Sequence, residues 1–145
     1  MTDEIQTDRP DEARMASMPI TGVTAYITVS DANAAADFYI RAFGATDVHR
    51  MRADDGKRLM HCQITINGGP LFLSDAFPEY GYALLTPQGY MLHLQVEDGR
   101  AWWDRAVEAG MEVVSEFKQE FWGDLYGQLR DPFGVTWSIG SRPAA

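Results

Sequence analysis

Two histidines carry most of the chemistry that this chain can offer. His61 alternates with Gln63 and Thr65 along one apparent strand, and His93 stands between Met91 and Gln95 on another. An imidazole titrates near neutral pH, so His61 suits a general acid or base, or a directional contact to a ligand. Either histidine could also ligate a metal, but no third ligand is evident, and a metal centre needs several imidazole, carboxylate or thiolate donors. The alternative for both is a hydrogen-bonding histidine in a pocket. His49 has only its strand to recommend it and reads as a surface residue. Phe121, Trp122 and Tyr126 gather around Gly123 and Gly127, where they could roof a pocket or simply pin a hairpin. Cys62 points opposite to His61, onto an aliphatic face, as a buried inert thiol would. Asp75 could cap a loop or supply a carboxylate to a cleft. Trp102 and Trp103 share helical spacing with Ala106 and Val107, which suits core packing or a dimer surface.

These residues are positioned by an internal repeat. The stretch GVTAYITVSDANAAADFYIRAF (22–43) reads as a strand feeding a helix, and MLHLQVEDGRAWWDRAVEAG (91–110) repeats that plan. Val29-Ser30-Asp31 matches Val96-Glu97-Asp98, Asp37 matches Asp104, and Gly44 falls one residue out of step with Gly110. Ser30 or Asp31 can cap the first helix, Asp98 the second, and both glycines suit left-handed C-caps. Ala35, Phe38, Tyr39, Ala42 and Phe43 form one apolar helical face. Strands are expected at 46–53, 58–66 and 71–75, joined by Asp54-Asp55-Gly56-Lys57 and Asn67-Gly68 turns. The second module continues with strands at 111–117, within 121–130, and at 135–139, the last after the turn Asp131-Pro132-Phe133-Gly134. The chain thus divides into a loose acidic tail (1–19), a first βαβββ module (20–80), a connection rich in Pro and Gly (81–90) and a second βαβββ module (91–141).

Four strands share one asymmetry. One face is aliphatic and can receive a helix. The other carries Thr24, Tyr26 and Thr28; His61, Gln63 and Thr65; Met91, His93 and Gln95; Thr136 and Ser138. A face open to bulk water usually carries Lys, Glu and Arg. Uncharged hydrogen-bonding groups suit a partly desolvated cleft, where they orient a ligand; a solvated sheet face of Thr and Gln is the alternative.

Composition narrows the partners. The 145 residues carry a net charge of −9, of which residues 1–18 contribute five acids and two bases. Such acidity repels phosphate backbones, so nucleic acid is not an expected partner, and a cationic or neutral small ligand is. One cysteine excludes an internal disulfide and suits a reducing compartment. No apolar run approaches a membrane span, and no secretion signal is visible, so a cytoplasmic location is expected.

The stretches YITVSDANAAADFYIRAFGA, DGKRLMHCQITI, GPLFLSDAFPE and, above all, FWGDLYGQLRDPFGVTWSI resemble the vicinal oxygen chelate superfamily, and within it the PhnB-like branch. That superfamily includes glyoxalase I, extradiol dioxygenases and bleomycin-resistance proteins. The resemblance spans roughly residues 20–140. It implies an α+β fold in which two tandem βαβββ modules form a curved mixed sheet around a cleft, and usually a homodimer. Matching the motifs puts the family's metal-ligand positions at Thr24, at Phe72 or Leu73, at Met91 and at Ser138. None is His, Glu or Asp, so neither a metal nor another cofactor is expected. The implied function is binding of a small organic molecule in the cleft without the usual metal site, with drug sequestering as the role it suggests. The alternatives are a lyase or isomerase with His61 as its catalytic acid–base, and a metal-dependent glyoxalase I, which the missing ligands disfavour. The expected ligand-binding residues are Thr24, Tyr26, Gln63, His93, Gln95, Phe121, Trp122, Tyr126 and Ser138.

Overall fold

A computed structural model describes residues 20–143; the expected tail at 1–19 lies outside them. The chain forms two compact units. The first holds residues up to Ile40 and Gly44–Leu85, and the second holds Arg41–Phe43 together with the chain from Thr86 onward.

In the first unit, β1 (Tyr26–Val29) leads into α1 (Ala32–Phe43), followed by β2 (Thr46–Arg52), β3 (Leu59–Ile66) and β4 (Gly69–Asp75). The sheet order is β1-β4-β3-β2, with β1 parallel to β4 and the other pairs antiparallel. Asp31 caps α1 by accepting from the Ala34 N–H, and Gly44 closes it in the left-handed conformation. The expected helical face, Ala35, Phe38, Tyr39, Ala42 and Phe43, is buried throughout. Asn67-Gly68, both at positive φ, makes the tight β3–β4 hairpin. The strand begins at Tyr26 rather than Thr24, because the ladder with β4 starts at Tyr26 opposite Phe72.

The second unit repeats the plan: β5 (Leu92–Gln95), α2 (Gly99–Ala109), β6 (Glu112–Gln119), β7 (Leu125–Arg130) and β8 (Thr136–Ser141), in the order β5-β8-β7-β6. Asp98 and Gly110 cap α2 as Asp31 and Gly44 cap α1. Asp131 explains the Asp-Pro-Phe-Gly turn. It is buried, and it accepts from the Phe133 and Val135 N–H groups and from the Trp137 indole at 2.8, 3.0 and 2.9 Å. Trp103 is buried and stacks on Phe117, whereas the Trp102 ring stacks on Phe43.

Among the described residues, no helix is long and apolar enough to cross a membrane.

Candidate functional site

Strand register decides which side chains of the first unit share a face. Tyr26 lies opposite Phe72 on β4, and Phe72 lies opposite Gln63 on β3. His61, two residues from Gln63, projects to the same side. The phenol of Tyr26 and Nδ1 of His61 share a hydrogen bond of 2.8 Å. Both rings pack edge-on against Phe72, with centroids 5.6 and 5.0 Å away. This settles the phase of β4: Phe72 faces the histidine, while Leu73 is buried on the opposite, aliphatic side.

Burial shifts this pair away from charge. It raises the Tyr26 pKa, with the Cys62 thiol adding a smaller push. It lowers that of His61, and the neighbouring His49 lowers it further. Both groups therefore stay neutral at pH 7. A neutral imidazole tied to a phenol can hold or pass a proton, and the hydrogen bond fixes its ring.

His49 is not the surface residue that its position suggests. It is only 7% exposed, and its ring lies 6.5 Å from that of His61. The cause is a register irregularity in β2: Asp47 pairs with Ile64, but His49 rather than Val48 pairs with Gln63. The extra residue puts His49 on the polar face. Gln63 is 1% exposed, and its amide nitrogen has no hydrogen-bond partner among the described residues.

Beside this pair lies a cavity of about 690 Å³, within the usual range for small-molecule sites. Tyr26, Phe77, Tyr80 and Tyr82 give it aromatic walls, Thr28 and Ser74 line it with hydroxyls, and Asp54, Asp55 and Arg58 stand among the residues around it. The segment carrying three of the rings is folded: the Phe77 and Tyr82 backbones exchange two hydrogen bonds around a 3-10 turn at Pro78–Tyr80. Arg58 ties it to the β2–β3 turn. Its guanidinium donates to Asp55 at 2.7 Å, donates to both Glu79 oxygens at 3.1 and 2.6 Å, and lies 4.3 Å above the Phe77 ring. The Asp55 carboxyl accordingly titrates at about 2, held down by the Lys57 N–H and then by Arg58. With Arg58 so committed, the cavity offers little to an anion. Asp54 has no ion-pair partner among the described residues. Asp75 is not a spare carboxylate, since its two oxygens accept from the buried N–H groups of Ala32 and Leu59 at 2.9 and 2.6 Å.

The second unit arranges similar groups differently. Nε2 of His93 lies 2.9 Å from Oε1 of Gln95, and Nδ1 lies 2.7 Å from Oγ of Ser138. The amide oxygen can only accept, so Nε2 donates and Nδ1 accepts from the serine hydroxyl. The ring stacks on Tyr126 at 6.1 Å, and Tyr126 packs in turn against Trp122 and Trp122 against Phe121. Trp122 is 50% exposed and Phe121 is 96% exposed.

Of the expected ligand-binding residues, only Tyr26 lines the cavity, and His61 reaches it through the Tyr26 hydroxyl. Gln63 shares their face. Thr24 precedes β1, with its hydroxyl buried and lacking a hydrogen-bond partner among the described residues. His93, Gln95, Ser138 and Tyr126 come together in the second unit. Sequence reasoning missed the walls Phe77, Tyr80 and Tyr82, which it assigned to the end of one module and the connection beyond it. The signal was there, in three aromatics alternating with turn formers where a plain linker needs none. Cys62 is buried, which pushes its thiol up to about 12 and leaves it unreactive.

The metal-ligand positions implied by the resemblance hold Thr24, Phe72, Met91 and Ser138, which lack the donors of a divalent metal site. Among the described residues, no group of three or more His, Cys, Asp or Glu side chains could hold a metal ion. The residues present do not fit that centre.

Two four-stranded mixed sheets, each carrying one helix in a βαβββ order, define a glyoxalase-like α+β fold. The chain belongs to the Glyoxalase/Bleomycin resistance protein/Dioxygenase superfamily, which it matches over residues 20–139. It is 40% identical over 121 residues to the uncharacterized protein Rv0887c of Mycobacterium tuberculosis, covering 79% of this chain and 71% of that one. Among solved structures it resembles TioX from Micromonospora sp. ML1, with a TM-score of 0.66, 21% identity, and 85% and 99% of the two chains covered. It also resembles the fosfomycin resistance protein FosX from Listeria monocytogenes, with a TM-score of 0.63, 14% identity, and 88% and 95% covered.

Proposed function

We propose that this protein binds a small organic molecule, neutral or cationic, in the aromatic cavity of its first unit, and that it does so without the metal centre of the glyoxalases. The observation that carries this reading is the cavity itself: some 690 Å³ walled by Tyr26, Phe77, Tyr80 and Tyr82, with its arginine already paired. Aromatic walls supply apolar area, and the few polar groups supply orientation. We propose drug sequestering as its role; the likeness to a fosfomycin resistance protein is one of fold alone. The net charge of −9 favours cations over anions. We propose a homodimer as the working form; a stable monomer by light scattering at micromolar concentration would contradict it.

A second reading is a lyase or isomerase in which His61 serves as acid–base, favoured by its 2.8 Å bond to Tyr26 and its neutral state. The two readings part in one experiment. A thermal-shift screen of cationic glycopeptides and neutral aromatic metabolites is followed by calorimetry on Tyr26→Ala and Tyr82→Ala. Binding that saturates, leaves the ligand chemically unchanged and weakens in both variants supports sequestration. Turnover abolished by His61→Ala supports the enzyme. A ligand bound equally by all three variants places the site elsewhere. Metal-dependent turnover of the methylglyoxal–glutathione adduct would refute both.

A further inference from the structure

We infer that the paired hydroxyls of Thr28 and Ser74 are the recognition point of the first-unit cavity, and that they select a planar nitrogen heterocycle with one N–H donor and one ring-nitrogen acceptor. This rests on the small-molecule reading above and names the ligand class for it.

The argument comes from the repeat. Register aligns Tyr26 with His93, Thr28 with Gln95, Phe72 with Ser138 and Ser74 with Gly140, since each set occupies the same rungs of its parallel ladder. In the second unit the His93 imidazole is clamped at both nitrogens, by Ser138 and by Gln95. It can lie there because residue 140 has no side chain: a Cβ on Gly140 would come within 2.9 Å of both His93 Cε1 and Gln95 Oε1. The unit thus covers that rung with a heterocycle of its own.

In the first unit every one of those conditions is reversed. Tyr26 turns away to His61 on β3. Thr28 is too short to reach across as Gln95 does. Ser74 stands where the glycine would be. The space above this rung is left as the cavity, and both side chains line it. Thr28 and Ser74 are direct partners across the β1–β4 ladder, and neither hydroxyl has a hydrogen-bond partner among the described residues. A hydroxyl both donates and accepts. One can receive a ring N–H while the other donates to a ring nitrogen, as Gln95 and Ser138 do for His93. The tyrosine and phenylalanine walls favour a flat ring.

The test uses the full chain, isotope-labelled, titrated with benzimidazole as probe. Indene, of the same shape without polar atoms, and benzyltrimethylammonium, a cation without a donor, serve as comparators. We expect benzimidazole to shift the Thr28 and Ser74 amides saturably and to bind more tightly than indene. The double variant Thr28→Val/Ser74→Ala, isosteric and checked for folding by circular dichroism, should weaken benzimidazole about tenfold, two neutral hydrogen bonds' worth, and leave indene unchanged. The variant Tyr26→His/Thr28→Gln/Phe72→Ser/Ser74→Gly, which imports the second unit's four residues at these rungs, should abolish binding there. Equal binding of indene and benzimidazole, or no loss in the double variant, overturns the inference. If benzyltrimethylammonium occupies the cavity instead, the heterocycle class falls while the small-molecule reading stands. If no probe and no screened compound reaches the cavity, both fall.

Discussion

The two units run the same strands and helix in the same order, yet they spend their side chains differently. Both keep Asp at the helix N-cap and Gly at the C-cap. Behind the sheet they trade volume. The first unit buries a small Ala36 on its helix and Cys62 on its sheet. The second places Trp103 at the rung-equivalent of Ala36 and Gly127 at that of Cys62, so the indole fills what the missing side chain leaves. On the polar face they trade openness. Tyr26, Thr28 and Ser74 leave a cavity, whereas His93, Gln95 and Gly140 close over themselves. The lesson is that a repeat conserves what ends its helices and registers its strands, and is free everywhere else to exchange large for small. Function enters through that exchange.

The largest expected effect tests a third contrast, at the last residue of the final strand. Asp75 satisfies two buried N–H groups, at the start of α1 and of β3. Its counterpart Ser141 is buried with a hydroxyl that lacks a hydrogen-bond partner among the described residues. Asp75→Ala should cost about 2–4 kcal/mol in urea denaturation, since each orphaned buried donor costs about 1–3 kcal/mol. Ser141→Ala should shift stability by less than about 0.5 kcal/mol, or even raise it. Equal losses would mean that the two strand ends are doing the same job.

Next comes the volume exchange. A Cβ on Gly127 would lie 2.5 Å from the Trp103 ring and 2.8 Å from the Phe117 backbone. Gly127→Ala should therefore destabilise by about 1–3 kcal/mol through overpacking. Adding Trp103→Phe should recover part of that loss. If the double variant is no better than the single one, the indole is not what the glycine accommodates.

How much of this could be read from the chain follows from the same physics. Helix caps, apolar helical faces and Asn-Gly turns depend on neighbours a few residues apart, so α1, α2 and the β3–β4 hairpin were legible. Val29-Ser30-Asp31 and Val96-Glu97-Asp98 exposed the repeat. The inward turn of His49 was not legible, because it depends on a register shift against Gln63 on another strand. Nor were the roles of Phe77, Tyr80 and Tyr82, which require knowing that the chain folds back and is pinned by Arg58. The partners of Asp75 lie 43 and 16 residues away, beyond any local pattern.

A smaller effect concerns the Tyr26–His61 bond, whose two residue types recur in the second unit on exchanged strands, as His93 and Tyr126. Tyr26→Phe keeps the ring wall and removes the hydrogen bond, so it should weaken a cavity ligand about tenfold or less, a loss of about 1.4 kcal/mol at most. His61→Ala should match it if the histidine acts only by holding the phenol. A double variant no worse than either single one would show that the two form one unit.

The smallest expected effect is on pH dependence, and its sign follows from the first unit alone. Burial and His49 lower the folded-state pKa of His61 below its ordinary value of 6.5. Below pH 6.5 the unfolded chain therefore takes up a proton before the folded chain does. Stability should fall as pH drops through the interval between 6.5 and the lowered folded value, and this contribution should level off once both states are protonated. Above pH 6.5 it vanishes. Asp55, held low by the Lys57 N–H and then by Arg58, and Glu79, held low by Arg58, add a separate loss at more acidic pH as they protonate. Because His61 is partly exposed, solvent screening keeps its step small. Urea titrations between pH 7.5 and 5 on the wild type and His61→Gln resolve it. The wild type should lose more stability than the variant over that range, and His49→Gln should reduce the wild-type slope by removing the neighbouring charge. If His61→Gln leaves the slope untouched, the imidazole titrates freely, and the desolvated pair with Tyr26 is not part of the folded protein in solution.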